Sequence, residues 1–120
     1  MRFIDLTTWD RAMHYQAFRN SAQPQYGVTF DLDITNFLPK IKAKGYSFTF
    51  AFVYAVTKCA NRIEAFRCRF VEGKPVVFDR IHTSFTYLKK GTELFKVVNV
   101  PMQDTMEEYV ALAKKTEENQ

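Results

Sequence analysis

Glycine and proline are scarce in this 120-residue chain, four of each, and every glycine stands alone. That excludes GxGxxG and other phosphate-cradling loops, whose close backbone approach needs clustered glycines. No GxSxG is present, so there is no strand-to-helix nucleophile elbow. The two cysteines, Cys59 and Cys68, lack CxxC spacing, and with two histidines, His14 and His82, they form no metal motif. Buried free thiols are the expectation for both cysteines, with a disulfide as the lesser alternative. The opening MRFIDLTTWDR has no apolar signal region, which predicts no export and a cytoplasmic protein. No apolar run is long enough to span a membrane before charge interrupts it. The formal charge is +4, but basic residues alternate with acids and form no block. That favours a solvated mixed surface over a nucleic-acid face and leaves binding of an anionic cofactor open. Repeats, low-complexity tracts and linkers are absent, so residues 1–120 read as a single domain.

Aromatics are what the chain has in quantity: twelve Phe, six Tyr and one Trp. Such a store serves either thick packing or a pocket for something flat and apolar. The stretch Ser47 to Ile63, SFTFAFVYAVTKCANRI, is apolar on nearly all sides. At that length it predicts a helix, capped by Ser47 and covered all round by the remaining elements. Ahead of it, Thr8 is expected to cap a helix over residues 9–20, with Trp9, Met13, Ala17 and Phe18 near one face. Val28, Phe30, Leu32 and Ile34 alternate with polar residues, the period of a half-buried strand. Thr35 then opens a short helix with Phe37, Leu38 and Ile41, closed at Gly45.

Beyond the central helix, residues 65–71 read as a strand with Phe66, Cys68 and Phe70 on one face and Arg67 and Arg69 on the other. Glu72-Gly73 turns it into Val76-Val77-Phe78. Further strands are expected over 84–89 and 94–100, joined at Lys90-Gly91. A last helix opens at Asp104 or Thr105, each with a glutamate three residues on. It should bury Met106, Tyr109, Val110 and Leu112 and fray over KKTEENQ. The order predicts an α/β two-layer sandwich with a mixed, partly antiparallel sheet and helices mainly on one face.

The reactive groups alone assign no chemistry. His14 or His82 has the right type for a general base, but neither lies beside an acid and a nucleophile, so a scaffold role is the simpler reading. Arg67 and Arg69 fit a solvated face better than an anion clamp. Tyr26, Phe30, Phe85, Tyr87 and Phe95 read more readily as core than as a pocket wall.

Four blocks in order carry a resemblance. TWDRAMHYQAFRN supplies Trp9, Arg11, His14-Tyr15 and Phe18-Arg19, and TFDLDITNF supplies Asp33, Ile34 and Thr35. GYSFTFAFVYAVTKCANRIEAFR brings Asn61 and Phe66-Arg67. VVFDRIHTSFTYLKKGTELF brings Asp79, His82, Phe85-Thr86, Glu93 and Phe95. From Trp9 to about Phe95 this resembles the N-terminal half of the chloramphenicol acetyltransferases. The resemblance implies acetyl transfer from acetyl-CoA to a hydroxyl of the antibiotic, in a trimer with active sites at subunit interfaces. It implies an acceptor site lined by Phe18, Tyr26, Ser84 and Phe95, and a ligand that is a small aromatic bearing a hydroxyl. Arg11 matches an arginine that in the family pairs with the aspartate of a C-terminal His-His-x-x-x-Asp-Gly motif, whose histidine is the base.

That motif and the oxyanion hydroxyl do not occur in this chain, and His14 and His82 match other landmarks. No catalytic residue, metal ligand or acetyl-CoA contact is therefore assigned here. Phe18 stands where the family usually has tyrosine. The expectation is a truncated homologue, a homo-oligomer like its family and catalytically incompetent alone. The alternatives are an enzyme completed by a second chain with the histidine half, and a non-enzymatic ligand-binding or oligomerisation module using an open sheet edge.

Overall fold

The computed structural model describes residues 1–120. Its elements are β1 (Arg2–Phe3), α1 (Ala12–Phe18), α2 (Phe37–Ala43) and α3 (Phe48–Ala60). A 3-10 turn at Glu64–Arg67 leads to β2 (Cys68–Val71), β3 (Lys74–Val77), β4 (Thr83–Tyr87), β5 (Lys96–Val100) and α4 (Met106–Glu118). The α/β class is as expected. All strand pairs are antiparallel and fall into two sheets, one of order β1-β3-β2 and one a β4–β5 hairpin.

The core lies where α3 and α4 cover one face of the β4–β5 hairpin. Phe50 and Tyr54 of α3 meet Val98 and Val100 of β5, Met102, and Tyr109, Val110 and Ala113 of α4. Both helices start where side-chain caps satisfy free N–H groups: Ser47 Oγ accepts from Phe50 N, and Thr105 Oγ1 accepts from Glu108 N. Thr105, not Asp104, is thus the cap of α4. Tyr54 Oη donates toward the Gln103 and Asp104 carbonyls, and its ring lies 5.2 Å from that of Tyr109. Asn61, just past α3, clamps Ile81 by donating to its carbonyl and accepting from its N–H at 3.1 and 2.8 Å.

Several local expectations change. The first helix starts at Ala12, not Trp9, because Asp5 captures the chain first: its carboxylate accepts from Thr7 N and its carbonyl from Thr8 N and Trp9 N. The buried residue of α1 is Tyr15; Met13, Ala17 and Phe18 are exposed. Residues 28–34 form no strand. No main-chain hydrogen bond ties residues 22–33 to any neighbour, so alternation alone does not make them sheet. Helix α3 is not covered all round: only Phe50, Ala51 and Tyr54 are buried, and Phe48 and Val56 remain exposed. Phe48 instead stacks on Phe52 at 5.4 Å, with Phe37 edge-on to both.

The strand expected from Ala65 begins at Cys68, because the 3-10 turn takes up Phe66, and Phe66 and Phe70 are exposed. Cys59 is exposed and Cys68 half-buried, both free. Arg67 and Arg69 spend their guanidinium groups on main-chain carbonyls of Phe78, Phe66 and Cys68. The C-terminal tail does not fray at Lys114. Helix α4 continues because Glu117 is buried and its carboxylate lies 3.0 Å from Lys96 Nζ on β5. That contact is off-axis for a hydrogen bond, and the ammonium aims its bond at the Glu117 carbonyl, 2.7 Å away.

Candidate functional site

A hollow of about 560 Å³ lies between α1, the chain leading out of it and the β2–β3 hairpin. Tyr15 organises it. Its hydroxyl donates to the Gly73 carbonyl at 3.0 Å, fixing α1 to the hairpin turn. That turn needs positive φ at both Glu72 and Gly73, 52° and 77°, the geometry of a tight two-residue hairpin connection. The Tyr15 ring sits 6.0 Å from Trp9 and 5.7 Å from Phe70, so three aromatic side chains from separate elements form one wall.

Cations lie over this wall. The Arg11 guanidinium is 5.2 Å from the Trp9 ring centre and donates to Cys68 Sγ at 3.7 Å. The Arg19 guanidinium is 5.1 Å from the Tyr15 ring centre. Phe18, Tyr26, His14, Asn20 and Pro24 also line the hollow, and no aspartate or glutamate is among the lining residues. Tyr26 reaches the hollow from the unpaired segment after α1 and is 92% exposed, so it is a flap on the cleft and not part of its floor.

Of the residues singled out from the sequence, the structure gathers Phe18, Tyr26 and Arg11 in this cleft. Ser84 and Phe95 lie elsewhere. Ser84 pairs with Asn99 on the face of β4–β5 that the helices leave uncovered, and Phe95, 64% exposed, precedes β5. His14 is exposed on α1 at the cleft. His82 has a scaffold part: its Nδ1 accepts from Met102 N at 3.0 Å, which places its proton on Nε2 in the neutral ring. Trp9, Tyr15, Arg19, Phe70 and Gly73 are cleft residues that sequence reasoning did not mark as such. One signal was available: Arg11, Tyr15 and Arg19 repeat at four-residue spacing, one helix face. Nothing local announces Phe70 or Gly73, which arrive through the fold.

No group of three metal-ligating side chains lies close enough to hold an ion, and no helix is long and apolar enough to cross a membrane. The family model for chloramphenicol acetyltransferase matches residues 1–119. The chain belongs to the chloramphenicol acetyltransferase family. Chloramphenicol acetyltransferases of Proteus mirabilis and Escherichia coli are 33% and 34% identical to it over 92 residues, covering 77% of this chain and 42% of each relative. Chloramphenicol acetyltransferase 2 of Escherichia coli is 27% identical over 108 residues, 90% of this chain and 51% of that protein. A solved chloramphenicol acetyltransferase structure superposes with a TM-score of 0.89 at 27% identity, over 98% of this chain and 56% of the other. The chain thus spans about half the length of the curated relatives it matches. Acetyl-CoA is the general co-substrate of that family, and its members are oligomeric.

Proposed function

We infer that the chain forms the acceptor-holding wall of a chloramphenicol-acetyltransferase-like O-acetyltransferase and binds a small aromatic ligand bearing a hydroxyl. The observation that carries this is the aromatic hollow of Trp9, Tyr15 and Phe70, with Phe18 and Tyr26 at its mouth. Its volume suits a small molecule, and ring faces supply affinity for a flat acceptor. Phe18 contributes a face without a hydroxyl, and Tyr26 adds a phenol from a segment without main-chain hydrogen bonds. Ser84 and Phe95 would act from the uncovered face of β4–β5, a second wall completed across a subunit interface in a homo-oligomer. Arg11 holds the Trp9 ring and is the positioning residue of the set.

Acetyl-CoA would supply the acetyl thioester. The hollow has no glycine loop or cluster of N–H groups to cradle its pyrophosphate, Arg11 is engaged by a ring and a sulfur, and Arg19 is the one lining arginine without a protein acceptor. No step is therefore assigned to coenzyme contacts here. Acyl transfer also needs a base for the acceptor hydroxyl and donors for the oxyanion. His82 has its Nδ1 committed to Met102 N, and His14 has no partner to orient it. A general base is worth roughly a hundredfold to ten-thousandfold, so these residues alone should give little turnover. The base comes from outside them.

A second reading, a non-enzymatic binding or oligomerisation module, draws on the exposed apolar side chains Val28, Phe30 and Leu32 and on the open edges of both sheets. The acceptor reading is tested by titrating chloramphenicol into the chain and following Trp9, its single tryptophan. Saturable quenching is expected, weakened about tenfold by Phe18→Ala or Tyr26→Ala, in line with loss of one aromatic contact. A signal that stays flat to millimolar ligand would contradict it.

A further inference from the structure

The open end of the β4–β5 hairpin is closed by a side chain. The ladder runs to Thr83 and Val100. The next residue after β5, Pro101, has no N–H and cannot continue it. The N–H after that, on Met102, is taken by His82 Nδ1 at 3.0 Å. Met102 is 5% exposed and belongs to the buried cluster with Phe50, Tyr54 and Tyr109. The two carbonyls that follow it, of Gln103 and Asp104, accept from Tyr54 Oη, and Thr105 caps α4. Residues 101–105 are thus the seat of α4 on α3. On the other side of the bond, Asn61 fixes the main chain of Ile81, the residue before the ring.

An imidazole accepts through one nitrogen only while neutral; as imidazolium it donates from both. A proton from solvent therefore turns Nδ1 from an acceptor into a donor facing another donor. His82 is exposed, so that proton reaches it without unfolding. The charged groups on the elements that meet here are of both signs. They are Asp79 and Arg80 on its own loop, Lys58 and Arg62 at the end of α3, Asp104 on the connection, and Glu107 and Glu108 in the first turn of α4. Asp79 is paired with the Met1 ammonium at 3.0 Å, and Arg2 and Arg67 also act on it. The side chain among all these that changes charge between about pH 5 and 8 is His82.

We propose that His82 is an acid-released latch for α4. With the ring neutral, it holds the Met102 N–H and the connection stays seated. With the ring protonated, the N–H is let go and α4 loosens from α3 and β5. The step moves one proton from solvent to Nδ1 and breaks one hydrogen bond. It uses no residue of the aromatic cleft and stands apart from the acceptor reading.

The test is amide exchange followed by NMR on the full chain and read at Met102 as a protection factor, which removes the intrinsic pH dependence of exchange. From about pH 7.5 to about pH 5, protection at Met102 should fall about tenfold, the worth of one net hydrogen bond, while the middle of β5 changes less. His82→Asn carries an acceptor oxygen on Cγ where the ring carries Nδ1 and does not titrate, so its Met102 protection should not follow pH. His82→Phe should show the low value throughout. Should neither variant fold, imidazole nitrogen shifts in the unaltered chain decide. Nδ1 must be the unprotonated nitrogen at the upper pH, and its titration must share a midpoint with the fall at Met102. A Met102 amide indifferent to pH, a fall that persists in His82→Asn, an equal fall across β5, or unmatched midpoints overturn the latch.

Discussion

Tyr109 is the residue on which the α4 side of the core turns. It is fully buried, and its hydroxyl and that of Thr83 lie 2.7 Å apart, Thr83 also donating to the Val100 carbonyl at 2.7 Å. Burial pushes the Tyr109 phenol above its ordinary value of 10.0, and the Thr83 contact offsets only part of that. A raised folded-state value means the folded chain holds the proton more tightly. The corresponding stability is complete below about pH 10 and is lost as pH rises through the folded value. Tyr109→Phe should therefore cost about 1 kcal/mol near neutral pH, the usual net worth of a hydrogen bond. It should also flatten the alkaline fall in stability. Urea unfolding at pH 7 and pH 10.5 measures both. At the cleft, Tyr15 has the matching part, because one ring and one hydroxyl fix both the aromatic wall and its attachment to the hairpin.

At the scale of elements, α4 is held at its end by β5. Lys96→Met would leave the Glu117 carboxylate buried without its cation. The expected cost is about 2 kcal/mol, below the roughly 3–5 kcal/mol of a fully buried pair, because Lys96 keeps 30% of its side-chain surface exposed. Thermal and urea unfolding read it. The segment before α2 is the opposite case. Amides of residues 22–33 have no main-chain partners and should exchange with solvent within the dead time of a hydrogen-exchange experiment, while those of α3 and β5 are protected.

These contrasts mark what could be read from residues. Ser47, Thr105 and the Glu72-Gly73 turn act through neighbours a few positions away, so α3, α4 and the β2–β3 hairpin were legible with their caps. Val28, Phe30 and Leu32 carry a strand's alternation, but a strand needs a partner, and pairing is a property of the fold. The cleft was half legible. Phe18, Tyr26 and Arg11 came from the family resemblance, and the Phe70 and Gly73 side of the wall depends on a tertiary contact made by one tyrosine hydroxyl.

As a whole molecule the chain is open. Its radius of gyration is 17.6 Å, against about 14 Å for a compact chain of this length, and only 16 of 120 residues are buried. More large apolar side chains stand exposed than are buried, among them the cleft mouth, the unpaired segment and the outer face of β4–β5. Such surface is what a contact with further protein covers.

The division of labour inferred for this molecule, an acceptor wall without its own base, is tested most directly by thiol release. The purified chain is mixed with acetyl-CoA and chloramphenicol, and free coenzyme A is followed over time. The account predicts a rate indistinguishable from that of acetyl-CoA and chloramphenicol in buffer alone. Sustained turnover that disappears in His14→Ala or His82→Ala would contradict it and place the base within these 120 residues.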